Sequence, residues 1–353
     1  MRNSVSRAVT ARGVKREFRE CVPKQEFGNE GNEGKIRQER NIKRNGMSLR
    51  FTVLASGSGG NASLIEIDGF GVLLDSGLGP RQLAHRLAAV GASWSAVQAV
   101  LLTHAHSDHW KDRTLAHLHR RGIPFYCHPD CHPVLGTYST AFVKLQAGGL
   151  VRPFEPGQEF ALAAGLRCRP LPVRHDGGAT FGFRLEGPRD LFGQSAAVGY
   201  VADLGCWDET LAGDLADVDL LAVEFNHDVA MEYASGRSPR LIHRVLGDEG
   251  HLSNAQGAGL VRAVLTRSET RRVRHLVQLH LSRECNRPTL AREAARAVLD
   301  ELAVRVEVHT ASQDEPGATL HLGAAPDGRR KRARWPTRRG IRPAPAQGRL
   351  PGL

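Results

Sequence analysis

The 353-residue sequence has no apolar run near the roughly 18 residues that a membrane helix needs, so no membrane partner is expected. Its opening, MRNSVSRAVTARGVKREFRE, carries positive charge with no apolar stretch behind it, which argues against a secretory signal. Cysteine is scarce. Cys21, Cys127, Cys131, Cys168, Cys206 and Cys285 are mostly isolated, as suits the reducing cytoplasm rather than a disulfide scaffold, and a cytoplasmic location is expected. In CHPDCHP, Cys127, His128, Cys131 and His132 could be half of a zinc site, but a second ligand pair is missing and a surface turn is the expectation. What is present is a hydrophobic fraction of 41%, enough for a real core.

Net positive charge is missing from the body of the chain. Residues 1–46 and 324–353 hold 12 and 9 basic against 6 and 1 acidic residues, which leaves 47–323 at −3 although the whole chain is +11. The ends, low in apolar residues and rich in charge, Gly and Pro, read as disordered basic extensions flanking one domain over 47–323. Such tails attract phosphate backbones without sequence preference. A solvated tail, or a true start at Met47, is an equally open reading of the first.

From Met47 onward, strand-like and helix-like segments alternate. LRFTVLAS, ASLIEID and GVLLDSG read as three strands, GPRQLAHRLAAVGA as a helix, AVQAVLLTH as a strand and WKDRTLAHLHRRGI as a helix with His117 and His119 on its solvated side. The second half offers strands at LRCRPLPVRH, ATFGFRLEG, SAAVGYVADLG, VDLLAVEFN, HLVQLHLS and VRVEVHT. Helices are expected at SNAQGAGLVRAVLT and TLAREAARAVLDELA. Two such halves predict an α/β (α+β) fold: an αββα sandwich of two mixed sheets flanked by helices. Ligands at strand ends would meet at one rim.

Gly57-Ser58-Gly59-Gly60-Asn61-Ala62 satisfies a dinucleotide-loop pattern, but that loop must open a helix and a strand-like ASLIEID follows instead. A tight hairpin near a site mouth is expected. The informative stretch is LLTHAHSDHW. Following a buried strand, a compact loop can aim His104 and His106 at one point and Asp108 and His109 at another, as two adjacent cations would need. Further ligands should then stand at later strand ends, and His175, Asp203 and His280 do.

Taken together, VLASGSGGNASLIE, LLDSGLG, LLTHAHSDHW, PVRHDGGATFGF, GYVADLG, LAVEFNHD, GHLSNAQGA and LHLSRECN make residues 50 to about 310 resemble the metallo-β-lactamase fold, and within it the WalJ/YycJ-type bacterial nucleases. The resemblance implies that His104, His106 and His175 hold one divalent metal, that Asp108, His109 and His280 hold the other, and that Asp203 bridges them. Zinc or manganese is expected, with iron possible. The similar tRNA-processing nucleases place a Glu and a His, paired as a proton relay, where Glu224 and His251 stand here. EFNHD departs from their Glu-Ala-Thr context, and a helix-capping role is the alternative for His251. Asp108 joins Glu224 and His251 as a candidate catalytic residue.

Two close cations acidify a water and bind phosphodiester oxygens, while an imidazole can protonate the leaving oxygen. His175 and Asp203 are 28 positions apart, too few for the protruding arm of tRNA 3′-processing enzymes, and the 77 from Asp203 to His280 are too few for the inserted domain of larger RNA-cleaving relatives. Redox members usually carry Glu where His106 stands. What the resemblance leaves is a compact hydrolase, acting as an exonuclease on the 5′ end of single-stranded DNA. Two readings compete with it: a hydrolase of a small ester, lactone or thioester, which the slightly acidic body favours, and a non-catalytic protein that binds nucleic acid through its tails.

Overall fold

The computed structural model describes residues 48–190 and 193–323. The expected basic extensions, 1–46 and 324–353, lie outside the described residues. The first half gives β1 (Leu49–Ala55), β2 (Ala62–Ile67), β3 (Phe70–Leu74), α1 (Pro80–Ala89), β4 (Val97–Leu101), α2 (Asp112–Arg121), β5 (Phe125–Cys127), α3 (His132–Tyr138), α4 (Thr140–Ala147) and β6 (Val151–Pro153). There follow β7 (Phe160–Ala161), β8 (Arg167–Val173), β9 (Thr180–Glu186), β10 (Ala197–Val201), α5 (Glu209–Asp214), β11 (Leu220–Glu224), α6 (Val229–Tyr233) and α7 (Pro239–Leu246). The chain then forms α8 (Asn254–Arg267), β12 (His275–Leu279), α9 (Pro288–Glu301), β13 (Glu307–Thr310) and β14 (Leu320–Leu322).

The strands make two seven-stranded sheets, ordered β14-β1-β2-β3-β4-β5-β6 and β13-β12-β11-β10-β9-β8-β7. Both are mixed. In the first, β3 to β6 run parallel; in the second, β10 to β13 do, and β8 points the same way because both it and β10 are antiparallel to β9. β10 and β11 are buried at every position, and strands covered on both faces need such continuous apolar runs.

Three apolar layers follow from the alternation of side chains. Phe51, Ile65, Leu101, Phe183, Tyr200 and Leu279 pack between the sheets. Leu54, Leu73 and Val100 face out to Leu83 of α1, Leu115 of α2 and Phe142 of α4. On the far side Leu221 and Val223 meet Leu260 and Val264 of α8 and Val298 of α9. Each large apolar side chain so buried contributes about 1.5–3 kcal/mol. This is the αββα sandwich. His117, expected on a solvated face, instead is half-buried with its ring 4.5 Å from that of Trp94.

Candidate metal centre

The two sheets meet at one rim, where β3 and β4 of the first and β8, β10, β11 and β12 of the second all end. From the first sheet comes a single loop. Beyond β4, the Thr103 amide and hydroxyl donate to Asp75 at 2.8 and 3.0 Å, which ties the loop to the end of β3. Asp75 also accepts from Nδ1 of His109 at 2.7 Å. Asn61, in the turn after β1, places its side-chain nitrogen 3.2 Å from Asp108 Oδ2 and 3.0 Å from Nε2 of His109. Gly77 is needed for this closeness, since a Cβ there would lie 1.6 Å from the Asp108 carbonyl oxygen. The 57–61 turn is the tight hairpin at the site mouth that the sequence suggests.

The second sheet supplies one residue from each strand end. His175 follows β8 and donates from Nδ1 to the Gly250 carbonyl at 2.8 Å, leaving Nε2 to face His106 Nδ1 at 3.3 Å. Asp203 follows β10, Glu224 closes β11 and His280 follows β12. Asp203 lies 2.8 Å from His109 Nε2, 2.5 Å from His280 Nδ1 and 3.7 Å from His104 Nε2. Asp108 Oδ2 is 3.6 Å from His109 Nε2 and 3.8 Å from His280 Nε2. All seven residues anticipated as ligands therefore converge. Ligand atoms of His104, His106 and His175 lie within 4.8 Å of one another, as do those of His104, His109 and Asp203, and those of Asp203, Glu224, His251 and His280.

The buried atoms show that these residues fit divalent cations. Nε2 of His104 and of His280 are buried and make no hydrogen bond within the protein, while Oδ1 of Asp203 pairs with Nδ1 of His280 at 2.5 Å. An interior polar atom left unpaired costs free energy, and divalent cations bound at the rim would give these two imidazole nitrogens a partner. Imidazole and carboxylate without thiolate suit zinc, manganese or iron. The outer nitrogens are fixed as ligands require: Asp75 holds Nδ1 of His109 and Gly250 that of His175.

Electrostatics divide the histidines. Burial first, then the charge on His109, keeps His104 well below the ordinary imidazole range, and burial likewise lowers His106 and His175. His109 goes the other way. Burial opposes its charge, but Asp75 and Asp203 on either side push it up to about 10. His280 also rises: burial opposes its charge, and Asp203 overcomes it. Asp203 is the counterpart, since burial would raise it while His280 and His109 hold it well below the usual carboxylate range. Neighbouring carboxylates thus favour the charged forms of His109 and His280, and divalent cations bound among the same residues would replace that charge.

Glu224 and His251 form the pair that the resemblance implied, with His251 Nδ1 2.7 Å from Glu224 Oε1. Glu224 is fully buried, and its other oxygen accepts the Leu204 and Leu252 amides at 3.1 Å each. Burial would raise its pKa, but His251 and further hydrogen bonds hold it below the ordinary value. The helix-capping alternative for His251 falls to Ser253, which forms a reciprocal capping box with Gln256 at the start of α8.

Four contributors went unassigned from sequence: Asp75, Thr103, Asn61 and Asp176. Asp176 lies 3.4 Å from His175 Nε2 and 3.6 Å from His106 Nε2, and it pairs with Arg244 of α7. Asp75 ends a strand, the same signal that singled out Asp203. The CHPDCHP residues bring no group of ligand atoms together. Cys127 and Cys131 are buried in the core rather than on the surface, and burial pushes the Cys131 thiol up to about 12.

Comparison with known proteins identifies the family of the domain. Residues 71–280, more than half of the chain, match the family model described as beta-lactamase superfamily domain. The chain is 27% identical over 269 residues to exodeoxyribonuclease WalJ of Streptococcus pneumoniae, covering 76% of this chain and 96% of that protein. It is 28% identical over 280 residues to exodeoxyribonuclease YycJ of Bacillus anthracis, covering 76% and 98%. Among solved structures, the metallo-beta-lactamase fold protein YhfI of Bacillus subtilis superimposes with a TM-score of 0.54 at 17% identity, over 78% of this chain and 99% of that one. Among the described residues no helix is long and apolar enough to cross a membrane.

Proposed function

The chain belongs to the beta-lactamase superfamily, and we propose that it is a two-cation phosphodiesterase that releases nucleotides from the 5′ end of single-stranded DNA. His104, His106 and His175 would hold one divalent cation and Asp108, His109 and His280 the other, with Asp203 shared. Bound there, the pair would polarise the phosphodiester and acidify the attacking water.

The observation that carries the phosphodiester reading is the position of His251. Its ring centre lies 4.9 Å from that of His175 and 5.1 Å from that of His280, so it stands beside both groups of ligands. Glu224 engages Nδ1, which leaves Nε2 as the nitrogen that faces a leaving group. An expelled alkoxide needs a proton, and an imidazole oriented by a buried carboxylate is a suitable donor. Glu224 also touches His280 Nδ1 at 3.1 Å, so one carboxylate orients both the proton donor and a ligand. Preference for DNA ends is supported by the names of the two relatives, both exodeoxyribonucleases, while the 5′ polarity follows only from the resemblance of the sequence motifs.

Incubation of the full chain with 5′- and 3′-labelled single-stranded DNA and manganese or zinc tests this. Mononucleotide should leave first from the 5′ label, and not with His251→Ala. Turnover of a lactone but not of DNA would replace the proposal with the small-ester reading.

A further inference from the structure

A second cluster of ligand-type side chains lies away from the rim, on β12 and the edge strand β13. β12 begins at His275 and reaches the catalytic rim at His280, so the two sites are separated by about 16 Å of strand at about 3.3 Å per residue. β13 pairs with β12 in parallel, with His275 opposite Glu307 and Val277 opposite His309. Alternation along β13 packs Val306 and Val308 against the helix-side core, which leaves Glu307 and His309 together on the other face with His275. His275 Nδ1 is 3.2 Å from His309 Nε2 and 3.4 Å from Glu307 Oε2, and His309 Nε2 is 3.8 Å from the same oxygen. These three atoms lie within 4.8 Å of one another.

We propose that His275, Glu307 and His309 form an accessory divalent-cation site that clips the edge strand to its neighbour. Two imidazole nitrogens and one carboxylate oxygen, with no thiolate, favour zinc, nickel or copper over calcium or magnesium. The imidazoles are one-fifth to one-quarter exposed and Glu307 two-thirds exposed, so water completes the coordination and the ion exchanges with solvent. Backbone pairing fixes the spacing of His275 and Glu307 across the two strands, so little ordering is required on binding. The ion would stiffen the strand that leads to Ser312 and Gln313. Those residues hold the turn at the site mouth: the Ser312 carbonyl accepts the Ser56 amide at 3.0 Å and the Gln313 side chain accepts that of Gly59 at 3.1 Å.

Equilibrium dialysis of the full chain against nickel, with metal counted per folded chain, tests the site. Wild type should bind one ion more than His309→Ala at the same free metal, and equal counts would overturn the proposal. Should His309→Ala fail to fold, Glu307→Gln at its exposed position takes its place. It should weaken that extra ion at least about tenfold, and unchanged affinity would refute the site. Copper added at one equivalent to the full chain after its rim has been filled with zinc should show electron paramagnetic coupling to two imidazole nitrogens, reduced to one by His309→Ala. A spectrum indifferent to that substitution would also overturn it.

Discussion

The first sheet delivers its share of the site from one loop, His104 to His109, whereas the second delivers one side chain from each of four strand ends, His175, Asp203, Glu224 and His280. The loop is positioned by side chains: Asp75, Thr103 and Asn61 hold it from neighbouring turns. The strand ends are positioned mainly by backbone pairing and by carbonyl or amide partners such as Gly250 and Leu204. A contiguous loop can therefore be disturbed by substituting its supports. The strand-end residues are disturbed chiefly by substituting the residues themselves.

The largest effect should come from the second sheet. Asp203→Asn removes the anion shared by His109, His280 and His104, and metal-dependent hydrolysis should fall at least about 1000-fold, roughly 4 kcal/mol of barrier. His106→Ala, a loop position one-third exposed, should cost clearly less in the same steady-state assay, and equal losses would break the distinction. His251→Ala should lower kcat by about 100- to 10,000-fold with KM little changed. Its loss should be smaller on a substrate with an acidic nitrophenol leaving group, which needs no proton.

Among the supports of the loop, Asp75→Asn should reduce zinc affinity or activity about 10- to 100-fold, because His109 loses the carboxylate that orients it. Chelator competition measures this directly, and an unchanged affinity would mean that the loop holds itself. The pH response sharpens the same point. His109 is raised in the cation-free protein, so its stabilising contribution is complete below about pH 6.5 and is lost as pH climbs through about 10. A metal must displace that proton and the one on His280, so apparent zinc affinity should rise with pH by up to about tenfold per unit for each proton displaced over this window. A flat profile would mean that His109 is not a ligand. The smallest effect belongs to Arg244→Ala: its half-exposed pair with Asp176 should shift unfolding free energy by no more than about 1 kcal/mol in a urea titration.

The same contrast governs what the sequence discloses. The loop is legible because its ligands are adjacent, and β1 to β4, β8 to β13 and the helices α1, α2, α8 and α9 are legible because each spans enough residues to show a period. β5, β6, β7 and β14 have only two or three residues each, too few for any periodicity. β14 is strand only through its distant pairing with β1, Leu49 opposite Leu322. The α6–α7 segment, which carries Arg244 to the rim, is hidden by its short helices and its Ser, Gly and Pro content. Asp75 is the instructive omission. Its strand-end position resembles that of Asp203, but its role depends on Thr103 and His109, 28 and 34 residues away.

Anomalous diffraction from crystals of the full chain grown with zinc tests the central claim most directly. Two peaks are predicted at the rim, one bonded to His104, His106 and His175 and the other to Asp108, His109 and His280, with Asp203 contacting both. A single peak, or two that leave Asp203 uncoordinated, would contradict the joint use of one loop and three strand ends to hold a cation pair.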